Sequence, residues 1–80
     1  VRLKNLNFNV FSYSDGWIQV NVFPKGDHNG TVFVYNRQLA MPTDIAKDIQ
    51  DVFGVTLTTD DVTNILKSGR KLNYPYPSNG

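Results

Sequence analysis

Hydrophobic and polar positions alternate along the first third of the chain and then change period. From Leu6 to Tyr13, and again from Trp17 to Phe23, every second residue shares one character. Leu6, Phe8, Val10, Ile18, Val20 and Val22 form one set. Asn9, Phe11, Tyr13, Trp17, Gln19, Asn21 and Phe23 form the other. Period-two alternation rich in β-branched and aromatic residues predicts two strands. Ser14-Asp15-Gly16 between them predicts a three-residue hairpin loop, with Gly16 at the position that requires positive φ. This loop sets Tyr13 opposite Trp17, Phe11 opposite Gln19 and Asn9 opposite Asn21. On the other face Val10 meets Val20 and Phe8 meets Val22, so both faces are consistent across the pair.

Pro24 to Gly30 reads as a turn region, and Thr31 to Arg37 as a third strand. Two registers compete for it. Pairing Val22 with Val32 sends Val32 and Val34 to the aliphatic face and keeps Phe33, Tyr35 and Arg37 with the aromatic set. A two-residue turn at Asn29-Gly30 shifts the register by one and reverses this. The first is preferred because it leaves one clean aliphatic face.

After Pro42 the period becomes helical. Pro42-Thr43-Asp44 predicts a helix start with Thr43 as cap. Ile45, Ile49, Val52 and Phe53 line one face of it, Asp44, Asp48 and Asp51 another, and Gly54 ends it. A second helix starts at Thr58 or Thr59; with Thr58 as cap, Asp61 completes a capping box. Val62, Ile65 and Leu66 form its apolar stripe, and Gly69 ends it. Two amphipathic helices need an apolar partner, and the aliphatic sheet face is the large one on offer. The expectation is an α+β domain over residues 1–69: a three-stranded antiparallel β-meander with two C-terminal helices packed on one face, ordered β-β-β-α-α. Residues 70–80 are expected to form an extended tail around Tyr74-Pro75-Tyr76-Pro77, with Lys71 to Tyr74 able to add a fourth strand.

Composition narrows the chemistry. Eighty residues with no cysteine make one domain without disulfides or a thiolate metal site. The absence of disulfides favours the cytoplasm. No apolar run is long enough to span a bilayer and no signal peptide is visible, so a soluble protein with no membrane partner is expected; the start at Val1 leaves room for an upstream segment. The net charge is +1, but it is unevenly spread: Thr43 to Asp61 carries −4 and the remainder +5.

Catalytic signatures are missing. His28 is the single histidine and lies in a polar turn, Gly26-Asp27-His28-Asn29-Gly30. No serine sits in a G-x-S-x-G context, no glycine-rich phosphate loop occurs, and no residues show metal-ligand spacing. The reading is a non-enzymatic binding module without cofactor or metal. Its contact surface would be the sheet face left uncovered by the helices, carrying Phe11, Tyr13, Trp17, Gln19, Asn21, Phe33, Tyr35 and Arg37. Aromatics and arginine with few other charges fit a protein interface of adaptor or inhibitor type, self-association being the simplest case. The same residues could stack single-stranded bases, with Lys25, Lys67, Arg70 and Lys71 meeting phosphates. Stacking against sugars, or burial of the aromatics under the tail through Leu72, Tyr74 and Tyr76, would also use them.

The segment Asp44 to Arg70 resembles the helix-turn-helix of DNA-binding families in its order of Ile45-Ala46, Gly54-Val55, Val62 to Leu66 and Gly69. The resemblance implies DNA reading through residues 45–69, with the second helix in the major groove. The first helix and the turn are both longer than that pattern, and Asp60 and Asp61 would face phosphate at the DNA-contacting end.

Overall fold

The structure is a computed structural model that describes residues 5–36, 38 and 41–77. Its elements are β1 (Leu6–Ser12), β2 (Trp17–Pro24), β3 (Thr31–Asn36), α1 (Pro42–Phe53), α2 (Thr59–Lys67) and β4 (Arg70–Lys71). The strands form one sheet in the order β3-β2-β1-β4. The protein is an α+β domain: an antiparallel meander with two helices on one face, extended by a short fourth strand.

The first hairpin has the expected register, with Phe11 against Gln19, Asn9 against Asn21, Val10 against Val20 and Phe8 against Val22. The Tyr13 N–H donates to the Trp17 carbonyl at 2.8 Å, and Gly16 takes φ 96° at the end of the turn. A side chain at that φ would be strained, which is why the loop ends on glycine.

The third strand corrects the preferred register. Val20 pairs with Phe33, Asn21 with Val32, Gln19 with Val34 and Ile18 with Tyr35. Phe33 and Tyr35 therefore share the helix side of the sheet, and Val32 and Val34 turn outward. The connection is also longer than a two-residue Asn29-Gly30 turn. It folds through a turn in which the Asp27 N–H donates to the Pro24 carbonyl, followed by an Asp27 carboxylate that accepts from the Asn29 N–H at 2.9 Å. The physical reason for the facing lies in size. The two rings stack at 6.4 Å and fill the space between β3 and α1, burying more apolar area than two valines would.

Leu6, Val10, Ile18, Val20 and Val22 from the sheet pack with Ile45, Ala46, Ile49 and Val62 from the helices. The helix connection contributes too. Val55 and Leu57 are buried while Gly54, Thr56 and Thr58 are exposed, a period-two pattern in "GVTLT". No polar side chain is buried among the described residues.

The helix starts differ from expectation at one end only. Met41, not Thr43, is the N-cap of α1, because Pro42 fits the first helical position, where its missing N–H costs nothing. The Asp44 carboxylate accepts from the Met41 N–H at 3.3 Å. Val52 is 53% exposed and Ala46 takes its place in the buried stripe. In α2 the Thr58 cap is as read: the Asp61 N–H donates to Thr58 Oγ1 at 3.1 Å and the Thr58 N–H donates to Asp61 Oδ2 at 3.0 Å.

β4 begins one residue before the expected segment and is only two residues long. It runs parallel to β1, with Arg70 beside Phe11 and Lys71 beside Ser12. Gly69 permits this return. A Cβ there would lie 2.7 Å from Val10 Cγ1, closer than carbon atoms tolerate.

Candidate interaction face

The registers build the outer sheet face row by row. One row crosses all four strands: Val34, Gln19, Phe11 and Arg70. The next holds Val32, Asn21 and Asn9, and beyond it Phe23 lies beside Asn7. At the opposite end Asn36 pairs with Trp17, which faces Tyr13 across the hairpin tip. The surface is thus aliphatic, aromatic and amide. Arg70 is the one charged residue at these strand positions among the described residues.

Val32 is 57% exposed and Val34 39%. Beside them the Gln19 side-chain amide donates to Asn21 Oδ1 at 3.0 Å, so the two amides satisfy each other in part. Phe11, Phe23 and Asn7 are half-buried and Asn9 is exposed. His28, exposed in its loop, lines a shallow cavity of about 310 Å³ with Asn21, Phe23 and Val32 at one rim.

The tail covers the hairpin end of this face. The Leu72 N–H donates to the Ser12 carbonyl, the Ser14 N–H to the Tyr74 carbonyl, and the Tyr76 N–H to Asp15 Oδ2. Tyr74 and Tyr76 meet Tyr13 edge-on at 5.9 and 5.0 Å, and Tyr76 lies 6.2 Å from Trp17. Loss of water around the Tyr13 phenol, then the neighbouring Tyr74 and Tyr76, raise its pKa above the ordinary tyrosine value.

The expected contact residues are therefore divided. Phe11, Trp17, Gln19 and Asn21 stand on the outer face. Tyr13 stands there under the tail. Phe33 and Tyr35 lie on the helix side, and Arg37 lies outside the described residues. Sequence reading passed over Val32 and Val34, because their facing depends on the register. Asn9 and Phe23 were legible by parity alone.

The four basic residues considered for phosphate point to separate places. Arg70 belongs to the outer face. Lys67 and Lys71 line a cleft on the helix side with Ser12 and Thr63. Lys25 is exposed in the turn after β2, where its N–H donates to the Asn5 carbonyl.

The helix pair places Asp60 and Asp61 in the first turn of α2, and its connection is held in the core by Val55 and Leu57. Among the described residues no group of three His, Asp, Glu or Cys side chains is disposed to hold a metal ion. No described helix is long and apolar enough to cross a membrane. No protein-family model, curated protein or solved structure matches this chain.

Proposed function

We propose that this domain is a non-enzymatic binding module that recognises another protein through the outer sheet face, a second copy of the chain being the simplest partner. The observation that carries this reading is the exposure of Val32 and Val34 along the β3 edge of a face otherwise made of amides and half-buried rings. Contiguous exposed apolar surface with few charges is the composition of an interface centre. β3 is also an outer strand of the sheet, and its six residues, Thr31 to Asn36, include no charge and no proline to discourage a partner.

Base stacking is less favoured. Two of the rings it would need, Phe33 and Tyr35, pack inward, and Lys67 and Lys71 line a cleft on the helix side of the sheet, the face opposite Trp17 and Phe11. DNA reading by α2 is opposed by the acidic residues at its start.

A photo-cross-linking residue placed at Val34, or at exposed Asp51 on α1, tests the reading. The Val34 probe should give a discrete adduct with a second copy or another protein, and Val32→Lys should abolish it while leaving stability unchanged. The Asp51 probe should not give that adduct. Equal adducts from both positions would sink the proposal. So would quenching of Trp17 fluorescence by a single-stranded oligonucleotide at low salt that reverses as salt is added.

A further inference from the structure

On the helix side of the sheet, at the end of the core where β4 returns to it, three parts of the chain border an open cleft of about 400 Å³. Ile18, Pro42 and Leu66 give it apolar walls. Ser12 and Thr63 add hydroxyls, and Lys67 and Lys71 add exposed ammonium groups. Among the described residues no carboxylate lines it. The acidic residues of this chain are concentrated on the helices and turns elsewhere, so the cleft combines apolar surface with uncompensated positive charge.

Each member has a structural reason to be there. Thr63, Leu66 and Lys67 are spaced i, i+3 and i+4, and so share one face of α2. The parallel pairing of β4 puts Lys71 directly beside Ser12, and Ser12 is in turn paired with Ile18. The Thr63 hydroxyl already donates to the Thr59 carbonyl at 2.8 Å, which leaves its oxygen lone pairs as acceptors, while Ser12 Oγ can donate.

We propose that this cleft binds a carboxylate carried on a short apolar body. The carboxylate would sit between Lys67 and Lys71, within reach of the Ser12 hydroxyl, and the apolar part would lie on Ile18, Pro42 and Leu66. Two ammonium groups select the anion, because hydrogen bonds to a charged acceptor are the stronger class. The apolar walls select against a bare inorganic anion, which would gain nothing from them and would leave them wet. The volume suits a medium-chain fatty acid, or the last residue of a protein chain that ends in an aliphatic side chain. Both present the same chemistry. This site is separate from the sheet face and does not depend on the protein-binding reading.

The test is an amide-shift NMR titration of the intact chain with octanoate, octan-1-ol, an acetylated Ala-Ala-Leu peptide with a free C-terminus, and the same peptide amidated. At least one of the two carboxylates should give saturable shifts at Ser12, Thr63, Lys67, Gly69 and Lys71. Its uncharged counterpart should bind about tenfold more weakly, as should the Lys67→Gln, Lys71→Gln double variant toward the carboxylate. Both substitutions are at exposed positions, and an unchanged spectrum elsewhere would establish that the variant is folded. Binding of octanoate alone would identify a free amphiphile as the ligand, and binding of the free-acid peptide alone a protein C-terminus. Three results would overturn the proposal: no shift with either carboxylate at about 5 mM, roughly five times a dissociation constant of about 1 mM; equal binding of charged and uncharged forms; or undiminished binding by the double variant.

Discussion

The Tyr35 hydroxyl donates a hydrogen bond of 2.7 Å to Asp48 Oδ2, joining the outer strand β3 to helix α1. The Tyr35 ring is half-buried and its hydroxyl has a carboxylate as partner, so the contact fixes both the facing of β3 and the position of the helix. Burial comes first in raising the Tyr35 pKa well above the ordinary 10.0, followed by the hydrogen bond to Asp48 and the charges of Asp48 and Asp44.

Tyr35→Phe should therefore lower stability by about 1–2 kcal/mol in urea unfolding, discounted from the full range for a charged acceptor because the site is partly wet. The pH dependence has a definite sign. A folded-state pKa above the unfolded one means the folded chain holds the proton more tightly, so stability is intact below pH 10.0 and falls as pH rises beyond it. The native chain should lose stability above that pH more steeply than Tyr35→Phe. A Tyr35→Phe curve with the same alkaline slope would refute the assignment.

Phe33 and Val34 are neighbours in sequence with opposite roles. Phe33→Ala removes a ring packed against the core and should cost about 3 kcal/mol, toward the lower end for a large-to-small change because the ring is only half-buried. Val34→Thr on the outer face, where Val34 is 39% exposed, should stay within about 0.5 kcal/mol of the native chain. Thermal unfolding of the two variants decides between the registers, since the reverse order of effects would require Val34 to face inward.

Gly69 holds the return of the chain against β1. Gly69→Ala places a Cβ 2.8 Å from Val10 Cβ and 3.0 Å from the Val10 carbonyl oxygen, and backbone cannot move aside as a flexible side-chain tip can. The expected cost is about 1–3 kcal/mol. Hydrogen exchange should locate the damage: the Leu72 N–H, which donates to the Ser12 carbonyl, should lose protection before the β1–β2 ladder does. Uniform loss across the sheet would show that β4 is not a separate dependent unit.

Much of this architecture was legible from the chain alone. The hairpin register followed from two alternating segments and one glycine, because pairs such as Phe11 with Gln19 and Val10 with Val20 are dictated by parity and loop length. The Thr58 cap followed from a local spacing of three residues. These are short-range constraints, satisfied within a few residues of where they are written.

The remainder needed tertiary structure. β3 is apolar on both faces, so its own pattern supports either facing, and packing of Phe33 and Tyr35 toward α1 decided it. That decision moved two rings out of the expected contact face and two valines into it. β4 is too short to have a period; the close approach of Gly69 to Val10 and the Leu72 N–H bond to the Ser12 carbonyl bring it to β1. The tail is placed by contacts with the hairpin tip sixty-one residues away, as in the Tyr76 bond to Asp15. Alternation and capping specify elements; which face a two-sided strand buries, and where a two-residue strand docks, are set by the partner surface.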